Sequence, residues 1–246
     1  MKIKSLIAAL LMAGTLAVGQ KVKSPKEAEA VNAILTATTP DQRIAAVDNL
    51  LGKYKDTEFK SIALQMAGEA YSQKNDGPNA IVYGNRAIEA DPKNFQALLL
   101  VSSQIARMTK EFDLDKDEKL KHASKLANDA IPAIAGAEKP NPQLPDEQWT
   151  GIKKDLTSEA HETLGIIAIV DKKWDVAITE LKAAIDGAAT PSYTAMVRLA
   201  AVYNNDKKYD DANMVADKLI TTTGVPDNLK KIAQEEKARA AKSKGQ

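Results

Sequence analysis

Residues 61–94 read SIALQMAGEAYSQKNDGPNAIVYGNRAIEADPKN. Apolar residues recur every three to four positions up to Tyr71, and the pattern breaks around Asn75–Pro78 and resumes to Ala90. That spacing predicts two amphipathic helices of roughly 14 residues joined by a tight turn, a helical hairpin. The small residues have a packing reason. Gly68 and Ala80 are expected to face each other where the two helices come closest, and Ala87 to face the following hairpin. Pro92 lacks an N–H and ends the second helix.

Working outward, the same punctuation returns. An alanine is followed by a second alanine seven residues later at 80/87, 123/130 and 177/184, and Ala212 is followed by Leu219. Ala46 lies 34 residues before Ala80, with Leu50 on the same face, and the helix before it, about Lys26–Ala37, carries Ile34 where the glycine would stand. Leu98, Val101 and Ile105 supply a first helix for Ala123, Ala127 and Ala130. About nine extra residues separate the two, near Thr109–Glu118. Leu164 and Gly165 precede Ala177, Leu181 and Ala184, with Pro191 beyond. Leu199 and Tyr203 precede Ala212, with Pro226 beyond.

This segment resembles the tetratricopeptide repeat, whose period is ~34 residues. The resemblance puts Leu64, Ala67, Gly68 and Tyr71 on the first-helix signature and Ala80, Ala87 and Pro92 on the second. Gly84 departs from it, since a large side chain is usual there, and Tyr83 is the expected compensation. The implied fold is all-α, a right-handed superhelical solenoid of antiparallel hairpins. Its divisions are a degenerate repeat at 26–60 and repeats at 61–94, 95–134, 147–191 and 192–226. The third has an extended first helix, and a proline-rich loop at 135–146 precedes it. A capping helix and tail occupy 227–246, with Leu229, Ile232 and Ala233 as the apolar face that covers the last repeat. Asp146 is the expected N-cap of the long helix that runs to about Val170, Trp149 its anchor, and the proline-rich loop the expected hinge.

Composition agrees. Apolar residues make up 44% of the chain but aromatics only 4%, a core of small aliphatic side chains suited to close helix packing. Lys2 and Lys4, an apolar run over 5–18 broken by Ser5, Gly14 and Thr15, and small residues at Ala17 and Gly19 have the three-part layout of a secretory signal peptide at 1–19. That predicts export to the periplasm or the extracellular space. No later stretch is long enough to span a membrane. The formal net charge is +1 and stays near zero without the leader, which lacks the footprint of a nucleic-acid binder.

Chemistry is sparse. There is no cysteine, so thiolate nucleophiles and Cys-based zinc sites are out of reach. His161-Glu162 begins a zinc-protease motif, but Gly165 stands where the second histidine belongs. His122 reads as a structural residue at a helix start. Asp113, Asp115 and Asp117 alternate as calcium loops do, yet Glu118 and Ser124 occupy the places of the required Gly and Glu. The expectation is therefore no enzyme, no cofactor and no metal.

In tetratricopeptide relatives, the first helices line a concave groove that holds a peptide or a partner's helix. The resemblance places Gln65, Glu69, Ser72, Gln73, Ser103, Arg107, Glu162, Ile166, Ile169, Asn204 and Asn205 on it, without the Lys/Asn cluster by which some relatives clamp a terminal carboxylate. It implies a scaffold or adaptor that binds a protein or peptide. The alternative is a self-associating envelope subunit that buries Ile166 and Ile169 against its own copy.

Overall fold

A computed structural model describes residues 21–244. The described residues form eleven helices: α1 Pro25–Thr36, α2 Pro40–Lys53, α3 Lys60–Gln73, α4 Gly77–Ala90, α5 Phe95–Met108, α6 Lys116–Gly136, α7 Asp146–Val170, α8 Trp174–Gly187, α9 Tyr193–Asn205, α10 Tyr209–Thr221 and α11 Asp227–Lys244. They pack as sequential hairpins. The leader expected at 1–19 lies outside the described residues.

The chain divides into two compact units. The first holds residues up to Met108 together with Lys125–Lys153, and the second holds Thr109–Ser124 together with residues from Lys154 on. The division runs through α6 and α7, so the proline-rich stretch falls inside the first unit and is not the boundary.

In both units the alanine positions carry the core. Ala80, Ala87, Ala123, Ala130, Ala177, Ala184, Ala212 and Leu219 are all fully buried. Side chains this small let helices approach closely, which is why the period shows in alanines and not in large residues. In the first unit Val31, Ile34, Val47, Leu50, Phe59 and Met66 pack into one cluster. In the second, Leu181, Ala184, Leu199, Val202 and Tyr203 form the central cluster, and Met196, Ala216, Leu219, Val225 and Ala233 the terminal one.

The turn within three of the hairpins is built the same way. Asn75, Lys172 and Lys207 take φ of 59°, 56° and 61°. The next N–H reaches back five residues: Asp76 to Tyr71 at 2.9 Å, Lys173 to Ala168 at 2.9 Å and Lys208 to Tyr203 at 2.8 Å. These are Schellman caps, in which one left-handed residue lets the last carbonyls of the first helix find donors.

A buried serine also recurs. Ser61 Oγ donates to the Ala87 carbonyl at 2.9 Å and Ser158 Oγ to the Ala184 carbonyl at 2.6 Å. Ser61, at the start of α3, and Ser158, midway along α7, each tie a first helix to the end of its second, satisfying a carbonyl that a helix end leaves open.

Several expectations need correction. Ala46 is only half-buried, and Val47 beside it takes the fully buried place, so the first hairpin sits one residue off the period. The large side chain missing at Gly84 is not supplied by Tyr83. A methyl on Gly84 would lie less than 3.0 Å from Val101 Cγ2, so α5 fills that space. In the second unit Leu181 fills the comparable place, lying 2.8 Å from where a methyl on Gly165 would stand. Gly68 does meet α4 closely: its absent methyl would be 3.2 Å from the Ala80 carbonyl oxygen.

At α7, Trp149 N–H bonds the Pro145 carbonyl at 3.0 Å, which makes Pro145 the cap and Asp146 the first helical residue. Asp146 pairs with Lys139 at 2.6 Å, and Lys139 holds its carboxyl below the usual range. Trp149 is buried, with the Lys153 ammonium 5.6 Å from its ring centre. His122 lies well inside α6 and is exposed. On α11 the buried face is Ala233 and Ala240, while Ile232 is exposed.

Candidate functional site

The residues predicted to line the groove come together as two separate faces, one in each unit. In the first unit they lie on α3 and α5. Gln65 is 3% exposed and donates to Glu69 Oε1 at 2.6 Å. Ser72 Oγ accepts from Gln104 Nε2 at 2.7 Å, so the side of α3 meets α5 through a hydrogen bond. Ser103 is 7% exposed. Gln73 and Arg107 face solvent.

In the second unit, Glu162 on α7 accepts from Thr194 Oγ1 at 3.0 Å and from Ser192 Oγ at 3.4 Å, and pairs with the Arg198 guanidinium. Asn204 Nδ2 donates to the Glu236 carbonyl at 2.9 Å and to Glu236 Oε2 at 2.7 Å. Asn205 Oδ1 accepts from Arg239 Nη2. The first helices α7, α9 and α11 are thus laced to one another by polar rungs. Ile166 and Val170 are half-buried beside them, and Ile169 packs against the core cluster.

Gln65, Ser103 and Asn204, 3%, 7% and 5% exposed, therefore present almost no surface to a partner. First helices of neighbouring hairpins touch, and the residue on each that faces its neighbour is covered. A repeat register places a residue on the first-helix side but cannot say whether it faces outward or sideways.

His161 is half-buried, its Nδ1 2.8 Å from Glu180 Oε2. Asp113 and Asp115 both pair with Lys119, at 3.4 and 2.8 Å. Among the described residues no group of three His, Cys, Asp or Glu could hold a metal ion, and no helix is long and apolar enough to cross a membrane.

Tyr83 donates to Asp48 Oδ1 at 3.0 Å and stacks obliquely on Tyr71, ring centres 5.0 Å apart. Burial and then the Asp48 hydrogen bond push its hydroxyl up to about 12. This is a neutral donor holding two hairpins together.

One feature escaped the sequence reading. In the insertion between α5 and α6, Phe112 is 87% exposed and Leu114 fully so. The alternation of acids there, EFDLDKDE, drew attention to the carboxylates and away from the apolar residues between them.

Solved structures are similar to this architecture. TTC0263, a thermophilic tetratricopeptide repeat protein in Thermus thermophilus, matches with a TM-score of 0.56 at 15% identity, over 80% of this chain and 90% of that one. The fold is tetratricopeptide-like. A MamA RS-1 ArsTM double mutant matches with a TM-score of 0.57 at 13% identity, over 91% of this chain and 98% of that one. At these identities the likeness concerns the fold of the array alone. No protein-family model and no curated protein matches the sequence.

Proposed function

We propose that this protein is an exported, non-enzymatic tetratricopeptide-like scaffold that binds a protein or peptide on the first-helix face of its second unit. The observation that supports it is the arrangement around Ile166. Glu162 with Arg198, Asn204 with Glu236 and Asn205 with Arg239 are already bonded to one another. Ile166, one turn along α7 from Glu162, is half-buried. Preformed surroundings of this kind lose little entropy on binding, and an apolar side chain of a partner gains by covering Ile166. The neutral charge balance and the lack of any nucleophile or ligand constellation in the sequence favour recognition over catalysis.

Ile166→Asp tests the surface. The full chain, tagged and crosslinked in its own cell envelope, is expected to hold one or two distinct proteins that the variant loses while its helical circular dichroism stays unchanged. Equal recovery from both would refute the assignment of this face. Export rests on Lys2, Lys4 and the apolar run over 5–18. The mass of the protein isolated from its host is expected to show cleavage after Ala17 or Gly19, and an intact Met1 in the cytosolic fraction would overturn that part.

A further inference from the structure

The chain has no cysteine, so methionine carries all of its sulfur. The described residues hold four methionines, Met66, Met108, Met196 and Met214, and they fall into two pairs. Met66 and Met196 are 2% and 7% exposed and belong to the apolar clusters. Met108 and Met214 are 43% and 64% exposed. A thioether is oxidised where an oxidant can reach it, so the second pair reacts first. What sets Met108 apart is where its sulfur rests.

Met108 is the last residue of α5. Its Sδ rests against Gly77, the first residue of α4. A methyl on Gly77 would lie less than 3.0 Å from that sulfur and 3.3 Å from Gln104 Oε1. Gly77 is buried, and the sulfur takes the space a side chain there would need. Gln104 Nε2 donates to Ser72 Oγ at 2.7 Å, which leaves its amide oxygen on the side of Gly77. Gln104 and Met108, one turn apart at the end of α5, therefore hold the two ends of the α3–α4 turn. In that turn Asn75 has φ 59°, and Asp76 N–H bonds the Tyr71 carbonyl at 2.9 Å. An unbranched thioether fills an irregular gap of this kind well, and the fit depends on its being apolar.

We propose that Met108 is a peroxide-sensitive contact, whose conversion to the sulfoxide loosens the end of α5 from the α3–α4 turn. In that step a lone pair of the sulfur attacks one oxygen of hydrogen peroxide. The S–O bond forms as the O–O bond breaks, and the proton of the transferred oxygen passes to the departing hydroxide, which leaves as water. The sulfur is oxidised by two electrons and the peroxide is reduced by two. The product is polar and chiral where the thioether was apolar. Its oxygen accepts hydrogen bonds, and Gln104 Oε1, on the same side of Gly77, is an acceptor too. Two acceptors repel, so the sulfoxide finds its hydrogen bonds by turning to water, which draws the sulfur off Gly77. The contact lies within the first unit. It does not use the Ile166 face, so it can fail while partner binding survives, and the reverse.

The test uses the full chain as wild type, Met108→Leu and Met214→Leu. Leucine keeps the volume and the apolar character but takes up no oxygen. Each chain is treated with graded hydrogen peroxide, and peptide masses show which methionines have gained one oxygen. Hydrogen exchange at the Asp76 N–H is followed on the same samples. Met108 and Met214 are expected to gain oxygen while Met66 and Met196 do not. Exchange at Asp76 is expected to rise by about tenfold in oxidised wild type and oxidised Met214→Leu, the shift of a local opening equilibrium that loses one contact. In treated Met108→Leu it is expected to stay at its starting rate, although Met214 is oxidised there. Methionine sulfoxide reductases A and B together, one for each epimer, are expected to restore the wild type. Exchange that is unchanged once Met108 carries its oxygen, an equal rise in treated Met108→Leu, or oxidation of Met108 no sooner than that of Met66 and Met196 would each overturn the inference.

Discussion

Gly84 and Val101 form a pair whose coupling can be measured. Gly84 is buried in α4, and Val101 in α5 is fully buried. Alanine at 84 gains about 1 kcal/mol as a better helix former. Its methyl, however, falls less than 3.0 Å from Val101 Cγ2. Valine has one strongly preferred χ1 in a helix and cannot swing aside, so overpacking costs about 1–3 kcal/mol. Gly84→Ala is thus expected to destabilise by about 0–2 kcal/mol, despite its propensity. Val101→Ala removes two methyl groups and leaves a void, a loss of about 2–3 kcal/mol. In the double variant the new methyl occupies part of that void and the helix gain survives. The double is therefore expected to be more stable than the sum of the singles by about 1–3 kcal/mol. Urea unfolding followed by circular dichroism at 222 nm, with linear extrapolation to water, gives the four stabilities of the cycle. Additivity within about 0.5 kcal/mol, or a Gly84→Ala variant more stable than wild type by the full propensity gain, would refute the claim that α5 replaces the missing side chain.

Three further outcomes follow from the same packing. Lys207 sits at φ 61°, where a side chain costs about 1–2 kcal/mol, so Lys207→Gly is expected to stabilise by about 0.5–1 kcal/mol after glycine's own entropy loss, seen as a rise in Tm. Ser158→Ala leaves the Ala184 carbonyl without its 2.6 Å donor and is expected to destabilise by about 1–3 kcal/mol by urea unfolding, with Ser61→Ala behaving alike at the matching position. Glu27 is fully buried, and the Thr57 hydroxyl and then the Lys23 N–H, at 2.5 Å, hold its carboxyl below the ordinary range. A folded value below the unfolded one means its contribution is present above the unfolded carboxylate pKa and disappears as pH falls through the folded value. The urea midpoint of Glu27→Gln should therefore fall less between pH 7 and pH 3 than that of the wild type, and equal losses would contradict this.

How much was legible differs from element to element. The Gly68–Ala80 approach was readable because two helices at closest distance admit few residue types, and those types recur at a fixed interval. The same logic failed at Ala46 and Gly84. An alanine one place off the period still looks like a repeat alanine, and a glycine says that space is short without saying which neighbour takes it. The first-helix face was legible as a set of positions, but not in its parts. Gln65 is buried and bonded to Glu69 of its own helix, and Asn204 reaches Glu236 on the next one, which depends on how adjacent hairpins meet. Phe112 and Leu114 were passed over because apolar residues in a loop carry no periodicity, and only their surroundings show whether they are covered.

By itself the sequence determined the helical class, the hairpin as the unit, and the poverty of catalytic groups. These follow from local rules: apolar periodicity, small residues at helix crossings, and proline or a left-handed turn at helix ends. Only the tertiary structure decided that the chain divides within α6 and α7 and not at its prolines, that Val101 fills the space beside Gly84, that the polar residues of the first-helix faces are bonded to one another, and that Phe112 and Leu114 stand exposed. Each of these depends on which surfaces of distant segments meet, and a side chain's burial is a property of its neighbours in space, not of its neighbours along the chain.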